Sequence, residues 1–183
     1  MAMGPRLRKA ALTAHVAASV GWLGAVAAFL ALAVAGLVGD DPGRTRGLYP
    51  AMDVLTWWAI VPLALAALVT GVVQALGTPW GLLRHYWVLA KLVLTVLATG
   101  FLLLHTAPVG HLADAAARGA DLDGAGLGGL RVQLVADAAA AVLVLLVTTA
   151  LSVFRPRGVT PYGWRKQQDR DRSPGQEAVP AGR

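Results

Sequence analysis

Five side chains combine a reactive group with a place in or beside an apolar segment: His15, Asp53, Lys91, His105 and Asp137. Ionisable groups in hydrocarbon are costly, and those that occur there mark cofactor ligands, ion paths or proton relays. Lys91 and His105 share the stretch RHYWVLAKLVLTVLATGFLLLH, Arg84 to His105. Helical steps of four and three lead from Lys91 through Thr95, Ala98 and Leu102 to His105, so one helix face carries the polar groups. At about 1.5 Å rise per residue the two lie roughly 21 Å apart, one near each side of a bilayer core. The spacing predicts two polar layers.

In the first layer His15, Ser19 and Trp22 follow one another on a single helix face, beside the small residues of GWLG. A histidine here is either hydrogen-bonded to a neighbouring helix or a ligand, and the sequence leaves both open. Haem needs an imidazole or amine aimed at iron, apolar walls and cations for its propionates. His15 can supply the ligand, Lys91 or His85 a second ligand or a propionate contact, and Trp22 a wall, with Ser19 beside them. Thr70, Gln74 and Thr148 complete the layer. The second layer holds Asp53, His105, Gln133 and Asp137, with His111 in the adjoining loop. His105, Asp53 and Asp137 would suit a divalent cation loosely, and either acid could orient His105. No cysteine is present, which removes disulfides, thiolate metal sites, iron–sulfur clusters and covalent c-type haem.

The elements that must position these groups are membrane helices. The 183 residues are 56% hydrophobic and 14% charged, with mean hydropathy +0.59, and the charges fall mainly outside long apolar runs. That pattern excludes an ordinary soluble domain and gives an all-α membrane protein. Helices are expected over 10–38, 54–76, 86–107 and 130–154, each near the roughly twenty residues that span a bilayer. The first run is too long for a signal peptide and reads as a retained helix. The segment 1–9 is a basic N-terminus, and 155–183 is a basic tail expected to be disordered.

Asp40 to Pro50, DDPGRTRGLYP, is expected to form a short loop. Pro62 is expected to kink the second helix. Within that helix Asp53, Thr56, Ile60, Leu63, Ala67, Thr70 and Gln74 share one face. After His105 a longer loop is expected through Pro108 and His111, with an interfacial turn at Asp114 to Arg118. The glycine run Asp123 to Gly129 follows no strand and lacks a Walker lysine, so it is no phosphate loop.

Basic residues flank the first and last helices: Arg6, Arg8 and Lys9 before, Arg155, Arg157, Arg165 and Lys166 after. The positive-inside tendency then puts both termini in the cytoplasm, giving a four-transmembrane-helix bundle, N-in/C-in, in a bacterial cytoplasmic (inner) membrane. The same tendency accounts for the net charge of +6, so nucleic acid is not an expected partner. The lipid bilayer is, and a second copy or a membrane partner subunit fits the apolar faces equally.

His15 with SVGWLG, and WVLAKLVLTVL running towards His105, resemble a known pattern. It is that of the small four-helix-core bacterial membrane proteins, which include the CopD copper-resistance domain and the HemJ-type protoporphyrinogen oxidases. The span Arg6 to Lys166 resembles more closely an uncharacterised actinobacterial membrane-protein family within that group. The HemJ likeness implies haem b associated with a helix-one histidine and a helix-three lysine, here His15 and Lys91. HemJ-type proteins also carry an arginine late in helix one, whereas Phe29 to Val38 has no charge. The resemblance therefore bears on fold and haem more than on porphyrinogen oxidation. The reading is an integral membrane protein binding b-type haem with a redox role. The alternatives are a non-enzymatic module whose buried polar groups fix helix register or contact a partner, and cation or proton transport through the second layer.

Overall fold

The structure, a computed structural model, describes residues 4–77, 86–124, 126–154 and 165. The elements are α1 (Pro5–Val38), α2 (Pro42–Leu55), a π-turn (Thr56–Ile60), α3 (Val61–Gly77), α4 (Tyr86–Ala117) and α5 (Leu127–Phe154). The π-turn joins α2 and α3 into one rod, so the described residues form four rods, each long and apolar enough to cross a membrane. Among the described residues there is no strand. Their outward faces are greasy: Trp58, Leu104, Val153 and Phe154 are all more than two-thirds exposed. A soluble surface would not tolerate that many, and lipid contact explains them. The chain is a multi-pass membrane protein built as a four-helix bundle.

Two rods form one diagonal of the bundle. α1 packs on α2, α3 and α5, and α4 packs on the same three, but α1 and α4 make little direct contact. Ala18, Trp22, Val26, Phe29, Ala33 and Gly36 form the buried stripe of α1, at the steps of four and three that keep one helix face inward.

The helices outrun the expected segments. α1 begins at Pro5 rather than Ala10, because Pro suits a first helical turn and Arg6, Arg8 and Lys9 can be carried on an exposed helix end. Asp40 to Pro50 is not a loop: α2 starts at Pro42, and Asp41 caps it by accepting from the N–H groups of Gly43 (2.9 Å) and Arg44 (3.4 Å). Asp followed by Pro is an N-cap signal, which Gly43, Gly47 and Pro50 obscured. The loop expected after His105 is also helix. α4 runs through Pro108 and His111 to Ala117, taking in all but Arg118 of the turn expected at Asp114 to Arg118. Val109, Leu112, Ala113, Ala115 and Ala116 are buried there, and packing against α2 sustains the helix. α5 starts at Leu127, three residues before position 130. The basic tail from Arg155 lies outside the described residues, except Arg165, which is exposed.

The expected irregularity near Pro62 takes the form of the π-turn. The Val61 N–H bonds back five residues to the Thr56 carbonyl. Widening the helix just before a proline relieves the clash of its ring with the preceding turn. It also sets Thr56 and Ile60, each 2% exposed, against the space between α1 and α4.

Candidate functional site

That space is a cavity of about 930 Å³. Trp22, Val26 and Phe29 of α1 form one wall, Thr56 and Ile60 of the π-turn a second, and α4 from Leu94 to Val109 a third. Leu134, Asp137, Ala138, Ala141 and Leu145 of α5 close it, and small residues there leave room that larger ones would fill. Leu97 and Leu104 belong to the lining yet are 63% and 75% exposed, so the cavity opens sideways to the lipid-facing surface.

Its polar groups are few. Trp22 is 4% exposed, and its indole N–H has no hydrogen-bond partner among the described residues. The Thr56 hydroxyl donates to the Met52 carbonyl (2.8 Å) and can still accept. On α4 and α5, His105 Nε2 lies 3.0 Å from Asp137 Oδ2. The other imidazole nitrogen, Nδ1, is 2.9 Å from the Phe101 carbonyl, and the ring stacks on Phe101 with centroids 3.8 Å apart. A carbonyl only accepts, so Nδ1 carries a hydrogen. Asp137 Oδ2, although this close to Nε2, is buried without a hydrogen-bond partner among the described residues.

Of the expected outer set, the structure joins only His105 and Asp137. Among the described residues, no group of three or more His, Asp or Glu is placed to hold a metal ion, so the three-residue site with Asp53 is not formed. Asp53 instead lies against α4 at Gly110, where an added Cβ would sit 3.8 Å from its Oδ1. The unexpected continuation of α4 explains this, because it puts a helix surface where a loop was expected. His111 and Gln133 are exposed.

The other layer lies on the opposite half of the bundle. His15 Nδ1 is 3.1 Å from both the Ala67 carbonyl and the Thr70 hydroxyl, so α3 holds the ring. A Cβ at Gly71 would come within 3.1 Å of His15 Cε1, so a larger residue there would push the ring back from α3 by a few tenths of an ångström. Gln74 donates to the Ala11 carbonyl (2.8 Å) one turn away. Because Nδ1 donates to the Ala67 carbonyl, Nε2 carries the ring's lone pair. Lys91 lies within electrostatic reach of His15, with its Nζ 5.6 Å from the centre of the Trp87 ring. Ser19 is half-buried on the same face of α1. His85, the other expected cation of this layer, lies outside the described residues.

Sequence reasoning missed a third polar cluster. Arg131, 5% exposed, sits near the start of α5 and fills the end of the bundle where α1 stops. Its Nε donates to Tyr49 Oη (2.8 Å), and its Nη2 to the carbonyls of Gly36 (2.6 Å) and Leu37 (3.3 Å). Nη1 donates to the Leu122 carbonyl (3.4 Å) and pairs with the Asp123 carboxylate. The α1 carbonyls otherwise lack partners at a helix end, and a cation there also suits the helix dipole. A signal was available: this arginine adjoins an apolar run at the end opposite the basic termini, against the charge bias that placed the other flanks.

No family model matches the chain, and no curated protein or solved structure matches it.

Proposed function

We propose that this integral membrane protein takes a lipid-soluble ligand from the bilayer into the cavity between α1 and α4. The observation that carries the proposal is the Trp22 N–H, buried without a partner in the cavity wall. A buried donor left unmet costs about 1–3 kcal/mol, and an acceptor brought by a ligand would remove that cost. The sideways opening at Leu97 and Leu104 gives such a molecule a path from the membrane. A photoactivatable alkyl diazirine tests the idea in nanodiscs. Saturable labelling of Trp22, Val26 or Ala138, lost in Ala138→Phe, is the expected result. Labelling confined to outward residues such as Trp58 and Phe154 would overturn it.

A second reading, b-type haem with a redox role, is favoured by the fixing of His15 through Nδ1. Backbone-anchored imidazoles present Nε2 as a metal ligand in a set orientation. His15 would hold the iron, Lys91 would act as second ligand or propionate contact, and Ser19 would flank the ring on α1. Haem, when bound, supplies one-electron chemistry. The test is a dithionite-reduced minus oxidised spectrum of protein expressed with ample haem. A b-type signal lost in His15→Ala is expected, and a flat spectrum from folded protein would retire this reading.

A further inference from the structure

In a membrane, apolar contact does not select a ligand, because lipid chains are as apolar as the cavity wall. Selection must come from the polar atoms that the wall leaves unmet, and they are of opposite kinds. Trp22 Nε1 on α1 is a buried donor and Asp137 Oδ2 on α5 a buried acceptor, each without a hydrogen-bond partner among the described residues. His105 does not complete the set. Its Nδ1 is taken by the Phe101 carbonyl, and its Nε2 approaches Asp137 Oδ2 without hydrogen-bonding it. A ligand that meets both atoms must bring one acceptor and one donor.

The two atoms also stand apart along the bundle. Tyr49 of α2 lies against Gly36 of α1, and Asp53, one turn further along α2, lies against Gly110 of α4. That puts Gly110 level with about position 32 of α1, and His105 level with about position 27, roughly 7 Å along the axis from Trp22. Helix side chains lean towards their own N-terminus, and α1 and α5 run in opposite directions, so the lean of Trp22 and Asp137 widens the gap. No single oxygen reaches both.

We infer that the cavity takes an uncharged acylglycerol, a monoacyl- or diacylglycerol with a free hydroxyl. An ester carbonyl accepts from Trp22, and the hydroxyl, set several bonds away by the glycerol backbone, donates to Asp137 Oδ2. The acyl chain leaves through the opening at Leu97 and Leu104. This rests on the lipid-soluble-ligand reading above and names its chemistry. Other membrane amphiphiles fit less well. A simple alcohol has one oxygen, and a ligand with acceptors alone leaves Asp137 unmet. A fatty carboxylate would set a second negative charge beside Asp137 in a low-dielectric site. A phospholipid brings a phosphate, and among the described residues the lining has no lysine or arginine to pair with it.

Competition against the diazirine label separates this inference from the reading beneath it. Monodecanoylglycerol, methyl decanoate and undecane are added to nanodiscs of the full chain at equal mole fraction in lipid. Monodecanoylglycerol should compete at about one-tenth the concentration of methyl decanoate, and methyl decanoate at about one-tenth that of undecane, the factor one well-formed hydrogen bond supplies. Asp137→Leu, which keeps bulk and removes the acceptor, should abolish the first step and leave the second. Trp22→Phe should abolish the second. Reading each variant against the parent in the same lipid cancels the depth at which each probe sits. Retained labelling of Val26 shows that a variant still forms the cavity, and Asp137→Ala decides if Asp137→Leu does not fold. Equal competition by monodecanoylglycerol and methyl decanoate, a first step that survives loss of the Asp137 carboxylate, or a second step that survives Trp22→Phe overturns the acylglycerol inference while the cavity reading stands. Absence of saturable labelling by the diazirine itself would remove both.

Discussion

Arg131 and Asp137 lie six residues apart on α5, about 9 Å along the helix, yet they belong to opposite kinds of polar cluster. Around Arg131 each guanidinium nitrogen has a partner: a tyrosine hydroxyl, three carbonyls and a carboxylate. Around Asp137 the balance is open, with a half-buried histidine pair and, across the cavity, an indole N–H with no partner among the described residues. Both clusters face the same requirement, that polar groups removed from water find partners. The first meets it within the chain and so holds the fold. The second does not meet it fully and so is available to a ligand.

The largest effect should come from breaking the closed cluster. Arg131→Ala strands Tyr49 and the last carbonyls of α1, and should lower stability by roughly 3 kcal/mol, the scale of losing charged hydrogen bonds at a buried site. Urea or thermal unfolding in mild detergent measures it, and Arg131→Lys should recover only part because an ammonium lacks the planar fork. Gly36→Ala comes next. A Cβ there would lie 3.0 Å from Tyr49 Oη, a side chain that Arg131 prevents from swinging away. Overpacking of that kind costs about 1–2 kcal/mol. Tyr49→Phe follows at about 1 kcal/mol, since it removes one acceptor and leaves the ring in place. If Asp137→Asn destabilised the unliganded protein as much as Arg131→Ala, the distinction between the two clusters would fail.

How much of this could be read from the sequence depends on how local each signal was. The four apolar rods were legible because composition and length decide them. So was the seam between α1 and α3: the helical rhythm put Thr70 and Gln74 on one face, and both reach α1, at His15 and Ala11. His105 with Asp137 was legible as two members of a level layer. Asp53 was misplaced because the layer argument assumed that α4 stopped near Ala107, and only packing against α2 carries it to Ala117. The same assumption hid α2 inside a Gly- and Pro-rich segment. Arg131 escaped because its partners lie far along the chain: Gly36, Leu37 and Tyr49 are each more than eighty residues away, and no periodicity links them. The cavity follows from the diagonal placement of α1 and α4, which the order of helices along the chain does not specify.

The smallest effect is the sharpest test of the comparison. Trp22→Phe keeps an aromatic ring against Val26 and Phe29 but removes the N–H. In the closed cluster, losing a donor costs stability because its acceptors are stranded. At Trp22 no protein acceptor is stranded, because none of the described residues accepts from it. Removing an unmet buried donor is favourable, while the smaller ring gives up some contact, so the two terms oppose each other. The unliganded protein should therefore unfold within about 0.5 kcal/mol of the parent, as a substitution without a broken interaction does. Delipidated protein in detergent is the right sample, because a retained ligand would add its own stabilisation to the parent alone. A loss of 2 kcal/mol or more under those conditions, a size that belongs to the Arg131 cluster, would mean that the indole N–H serves the fold. The cavity would then lose the donor on its α1 wall.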